Sequence, residues 1–96
     1  MEREYYTYIM TNKWGSVLYT GIANNLERRV YEHKNKIFKG FTAKYEVEQL
    51  AYYESYPTAE EAILREKQIK AGSRQKKIDL IKNFNPNFED LAKDWF

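Results

Sequence analysis

Two runs of β-forming residues, YYTYIMT at 5–11 and VLYTGIA at 17–23, flank the turn-type sequence NKWGS. This pattern predicts a β-hairpin with a five-residue connection. Tyr8 and Tyr19 lie at comparable distances from the loop, so the pairing can bring them near each other. Asn24-Asn25-Leu26-Glu27 has the form of a capping box and opens a helix over about 25–36. Leu26, Val30 and Ile37 recur there at helical spacing. FKGFTAKYE at 38–46 reads as a loop, and VEQLAYYES as a third strand over roughly 47–54. Thr58-Ala59-Glu60-Glu61 starts a helix over about 59–71, which Gly72 ends. Ser73 caps another over about 74–83, with Ile78 and Ile81 facing inward, and Asn85-Pro86 breaks it. The closing NFEDLAKDWF reads as a short helical turn that tucks Leu91 and Trp95 onto the body. The order β-β-α-β-α-α implies an α+β fold, a small, mostly antiparallel three-stranded sheet flanked by helices.

At 96 residues the chain is expected to form one domain over 1–96. With no cysteine it has no disulfide, thiolate metal site or cysteine nucleophile. Its single histidine cannot build a His-rich site, so a bound metal would be a hard, oxygen-liganded cation. The opening MEREYYTYIM is charged at once, which predicts neither signal peptide nor membrane span and makes the cytoplasm the expected compartment.

The net charge of +2 is too small to identify a partner, but its distribution is informative. Arg28, Arg29, Lys34, Lys36, Lys39 and Lys44 form one basic block. Arg65, Lys67, Lys70, Arg74, Lys76, Lys77 and Lys82 form another. Basic blocks with aromatics close by suit phosphate binding, although each also suits a solvated helix face.

Two charges fall inside apolar stripes. On the 59–71 helix, Ala59, Ala62, Ile63, Glu66 and Ile69 share a face. On the first helix, Leu26, Arg29, Val30, His33 and Ile37 do. A charge on a core-facing stripe costs several kcal/mol unless it is paired or ligated. Either Arg29 and Glu66 form a buried salt bridge, or both line a pocket where the helices meet the hairpin. In such a pocket a carboxylate can hold Mg²⁺ and an arginine a phosphate.

The ordered set resembles the GIY-YIG endonuclease superfamily, in particular its small stand-alone branch. Tyr6-Thr7-Tyr8 matches the first half-motif and Tyr19-Thr20-Gly21 the second. Arg29 stands eight residues after Gly21, His33 four further on, and Glu66 sits within an AxxREKQIK-type helix. The sequence departs from the family at Tyr6, which replaces a Gly, and at Thr20, which replaces an Ile. Ile22 stands where the excision-repair nucleases carry a Lys. Asn85 is the candidate for the family's late Asn.

The resemblance implies a metal-dependent endonuclease acting on the phosphodiester backbone of a nucleic acid, DNA by expectation. Its selectivity would be for a structure such as a flap, branch or damaged site rather than for a sequence. It implies Glu66 as the ligand of Mg²⁺ or Mn²⁺, Arg29 as the phosphate contact, Tyr8 as the base with Tyr19 as a phosphate or water ligand, and His33 beside them. Gly21, Arg28, Lys67, Lys70 and Asn85 are the implied substrate-binding positions. In relatives, specificity comes from appended domains or dimerisation, which leaves a homodimer as the option here; no membrane partner is expected. The alternative is a nucleic-acid-binding module of the same fold with little or no cleavage.

Overall fold

A computed structural model describes residues 4–96. Strands β1 (Tyr5–Thr11), β2 (Leu18–Ala23) and β3 (Gln49–Tyr56) form one sheet in the order β2-β1-β3, with both pairings antiparallel. Helices α1 (Leu26–Lys34) and α2 (Phe41–Lys44) separate β2 from β3, and α3 (Ala59–Ala71) and α4 (Arg74–Phe84) follow. The expected α+β order is thus observed, with one addition. The segment read as a loop contains the single helical turn of α2.

Alternation along β1 divides the interior into two cores. Tyr8 and Met10 face Leu26 and Val30 of α1, together with Val47, Leu50 and Ala92. Ile9 faces the opposite way, into a cluster with Ala51, Tyr52, Ile69 and Ile81 beneath α3 and α4. Thr7, on the same face as Ile9, donates its hydroxyl to the Ala62 carbonyl of α3 at 2.8 Å. A buried polar side chain thereby gains the partner it needs and fixes α3 against the central strand.

The local sequence explains the helix limits. Asn25, Thr58 and Ser73 each accept a backbone N–H of the first turn of α1, α3 and α4, which satisfies an otherwise orphaned donor. The first helix stops at Lys34, short of the expected 36, because Lys36 takes a left-handed φ of 53°. Ile37 therefore lies beyond the helix and is exposed, contrary to the inward position its spacing suggested. Ile63 is likewise at the surface; the buried side of α3 runs through Ala62 and Ile69. The third strand begins two residues later than expected, since Val47 bonds back to Thr42 at 2.9 Å, and it runs on to Tyr56.

β3 is an edge strand carrying a bulge. Ile9 pairs with Tyr52 but Met10 pairs with Leu50, leaving Ala51 as the extra residue. The bulge lets Leu50 enter one core while Ala51 and Tyr52 enter the other. The C-terminal segment covers this irregular edge. Leu91 N–H donates to the Leu50 carbonyl at 2.8 Å, and Asp90 Oδ1 accepts from Leu50 N–H at 3.0 Å. Asp90 also pairs with Lys34 at 2.6 Å, tying α1 to the same seam. Leu91 and Trp95 do pack onto the core, with Ala92 fully buried between them.

Asn85 fixes the turn that leads there. Its amide donates to the carbonyls of Ala51 and Glu89 and accepts the Glu89 N–H. Replacing it with Ala leaves buried backbone groups without partners and is expected to cost about 1–3 kcal/mol. Denaturant unfolding checks this, with a lower midpoint and an unchanged m-value as the expected result.

Candidate active site

The site begins with a missing side chain. Gly21 of β2 lies opposite Tyr8 of β1, and the Tyr8 ring lies over it. A Cβ at residue 21 would stand 2.6 Å from Tyr8 Oη and 2.7 Å from its Cζ. Tyr19, two residues along β2 on the same face, brings its ring to 6.5 Å from that of Tyr8. The hairpin register thus places the two tyrosines as neighbours on the α1 side of the sheet.

Helix α1 supplies the next layer. His33 is buried, with Nε2 3.2 Å from Tyr8 Oη, and its ring also packs on Tyr19 and Phe38 at 5.5 and 5.2 Å. Its Nδ1 is buried and makes no hydrogen bond among the described residues. Arg29, one turn earlier on α1, stands over the Phe38 ring at 5.3 Å. It faces Glu32 at 3.4 Å, yet Glu32 Oε1 forms no hydrogen bond among the described residues. Tyr19, Arg29, His33, Phe38, Lys39 and Phe41 line an open cleft of about 280 Å³.

Glu66 approaches from α3, which crosses β1 and β2 on the other face. The salt bridge between Arg29 and Glu66 is not formed. Each pairs within its own helix, Glu66 with Lys70 at 3.3 Å. Both charges nevertheless act on one phenol. Burial raises the Tyr8 pKa well above its ordinary value, the neighbouring Tyr19 adds to this, Arg29 opposes it, and Glu66 reinforces it. In His33, burial and then the Arg29 charge push the imidazole down to about 4, against a smaller upward pull from Glu32. At neutral pH the site therefore holds a neutral phenol against a neutral imidazole.

The Glu66 carboxylate has the chemistry of a single ligand for a hard cation. Its carboxylate is mostly buried, and its ion-pair partner Lys70 is exposed enough to give way to a metal. Among the described residues no three His, Asp or Glu side chains gather. A cation such as Mg²⁺, which keeps most of its waters and takes one or two carboxylates, fits this donor set, whereas one needing a protein-built cage does not.

The other expected binding positions are distributed differently. Arg28 and Lys67 are exposed on their helices, and Lys70 is engaged by Glu66. Asn85 is not brought to the tyrosines, because its amide is occupied by backbone at the end of α4. Much of the second basic block serves the fold. Arg65 is bound by Glu54, which also accepts the Tyr52 and Tyr56 hydroxyls. Arg74 donates to the Gly15 carbonyl at 3.0 Å and Lys77 to that of Gly72 at 3.1 Å. Sequence reasoning missed Phe38, Lys39, Phe41 and Thr42 as cleft residues. The available signal was two phenylalanines around Lys39-Gly40, next to the first basic block.

Two outcomes follow from this geometry. His33, the only histidine, is expected to titrate near pH 4 rather than 6.5, read from its imidazole proton resonances; Arg29→Ala moves that midpoint upward. Because the unfolded chain binds this proton at higher pH than the folded one, the His33 contribution to stability is intact above about pH 6.5 and declines as pH falls toward 4. Gly21→Ala drives a methyl into the buried Tyr8 ring and is expected to cost about 1–3 kcal/mol in chemical denaturation, with loss of the low His33 midpoint as the ring is displaced.

Comparison with known proteins shows which family the chain falls in. Residues 4–79 match the GIY-YIG catalytic domain. A UPF0213 protein of Staphylococcus saprophyticus is 44% identical over 78 residues, covering 81% of this chain and 94% of that one. A UPF0213 protein of Staphylococcus aureus is 40% identical over the same shares. The solution NMR structure of the UPF0213 protein BH0048 from Bacillus halodurans superposes with a TM-score of 0.58 at 28% identity, covering 95% of this chain and 97% of that one. With the catalytic-domain match spanning residues 4–79 and relatives of this identity and coverage, this chain belongs to the GIY-YIG family.

Proposed function

We propose that this protein is a divalent-metal-dependent endonuclease that hydrolyses phosphodiester bonds in DNA, selecting a structure rather than a sequence. The observation that carries this reading is the cleft lined by Tyr19, Arg29 and His33, with the Tyr8 hydroxyl buried directly behind it, 3.2 Å from His33 Nε2.

In this reading Arg29 donates to a non-bridging phosphate oxygen and offsets charge that grows at the phosphorus centre. Glu66 holds Mg²⁺ or Mn²⁺. When bound, that ion supplies charge neutralisation and an acidified water. Tyr19 orients the attacking water at the cleft. Tyr8 acts as a relay rather than as a preformed phenolate: its oxygen takes a proton from the water as its own proton passes to His33 Nε2, 3.2 Å away. The phosphate itself prepares this step. Its negative charge beside Arg29 cancels the field that, after burial, depresses His33, so the imidazole becomes a better acceptor once substrate is seated. A neutral pair would also be retained by a module that binds nucleic acid without cutting it.

Incubating the protein with supercoiled plasmid and with branched oligonucleotides, in Mg²⁺ or in EDTA, separates the two. Nicking in Mg²⁺ alone is expected, with Glu66→Ala and Arg29→Ala each lowering the rate by about 10²-fold or more. Cleavage that persists in both variants overturns the assignment of the site. Tight binding with no metal-dependent cleavage establishes the binding module instead.

A further inference from the structure

Helix α2 is amphipathic in the reverse sense. Its polar Thr42 is buried, while Phe41 and Tyr45 keep 52% and 42% of their surfaces exposed. Four residues apart, the two aromatics share one face of the turn, with ring centroids 4.9 Å apart. The turn is held in place. Lys44 N–H bonds to the Gly40 carbonyl at 2.9 Å and Val47 N–H to that of Thr42 at 2.9 Å, and Val47 is fully buried. The backbone enters through Gly40 at φ 106°, a conformation that side-chain-bearing residues rarely adopt. The sequence thus fixes a short turn whose inner face is anchored and whose outer face displays two rings.

Phe41 stands at the cleft and Tyr45 extends the aromatic surface outward from it. Phe41 lines it together with Arg29 and Lys39, Phe38 packs on His33 at its floor, and the Lys44 ammonium lies 5.4 Å from the Tyr45 ring. Exposed aromatics interleaved with lysines form the arrangement that binds single-stranded nucleic acid, where bases stack on the rings and cations follow the backbone. In a duplex both faces of each base are already stacked, so such a platform has little to offer it.

We infer that Phe41 and Tyr45 form a stacking platform for an unpaired nucleobase adjoining the phosphate held at Arg29, which directs this site to single-stranded segments or to junctions bearing one. This rests on the proposed action at a nucleic acid and names the substrate feature that the same cleft selects.

The test is fluorescence anisotropy in EDTA, which removes chemistry from the readout, with labelled single-stranded and fully duplex oligonucleotides. The wild-type protein is expected to favour the single strand. Phe41→Ala is expected to weaken that binding roughly tenfold and to change duplex binding less than about twofold. Phe41→Trp retains the preference, whereas Phe41→Leu, apolar but without a π-face, loses it. Because the ring is exposed, thermal unfolding by circular dichroism should be unchanged in all three. Single-strand binding equal to wild type in Phe41→Ala, or full affinity in Phe41→Leu, overturns the platform while leaving the endonuclease reading intact. A wild-type protein that binds neither oligonucleotide overturns both. A dimer in solution that Phe41→Ala converts to monomer also overturns the platform, assigning these rings to self-association.

Discussion

The close approach of Tyr8 to Gly21 is the constraint on which the site depends. Only a residue without a side chain lets a ring from the central strand lie over its neighbour on the edge strand. Once Tyr8 is laid down in that way, its hydroxyl meets His33 and its ring fills the core with Val30 and Leu26 beneath α1. The same contact therefore belongs to packing and to chemistry, and no substitution at Gly21 can alter one without the other. Tyr19 follows from the register, because residues two apart on a strand share a face.

The electrostatics follow from the same burial. A phenol and an imidazole enclosed together both favour their neutral forms, and Arg29 deepens the effect on His33 while opposing it on Tyr8. The free site thus holds its protons in place; in the proposed reading, an anion seated at Arg29 would change the balance. Glu66 stands on α3, in the opposite layer of the fold, so the proposed site would draw on both cores.

The basic residues divide into those that bind the fold together and those left toward the cleft. Arg65, Lys77 and Arg74 act as fasteners to Glu54 and to loop carbonyls, and Lys34 fastens α1 to Asp90. Lys39 remains at the cleft beside Arg29. Charge counted along the sequence does not separate these uses, because a guanidinium is committed only when its acceptor arrives from a distant segment.

The sequence by itself determined the three strands, the capped starts of α1, α3 and α4, and the ordered set of Tyr8, Tyr19, Gly21, Arg29, His33 and Glu66. These are legible because strand propensity, capping and helical spacing act over a few residues, and because the order of motif residues is a property of the chain. The tertiary structure alone decided what those residues touch. It gave Arg29 and Glu66 separate partners, committed Asn85 to backbone, left Ile37 and Ile63 at the surface, and turned the segment at 38–46 into the rim of the cleft. Each outcome depends on contacts between segments far apart in the chain. Whether an apolar or charged side chain is buried, paired or displayed is settled by the partner that packs against it, which local periodicity does not encode.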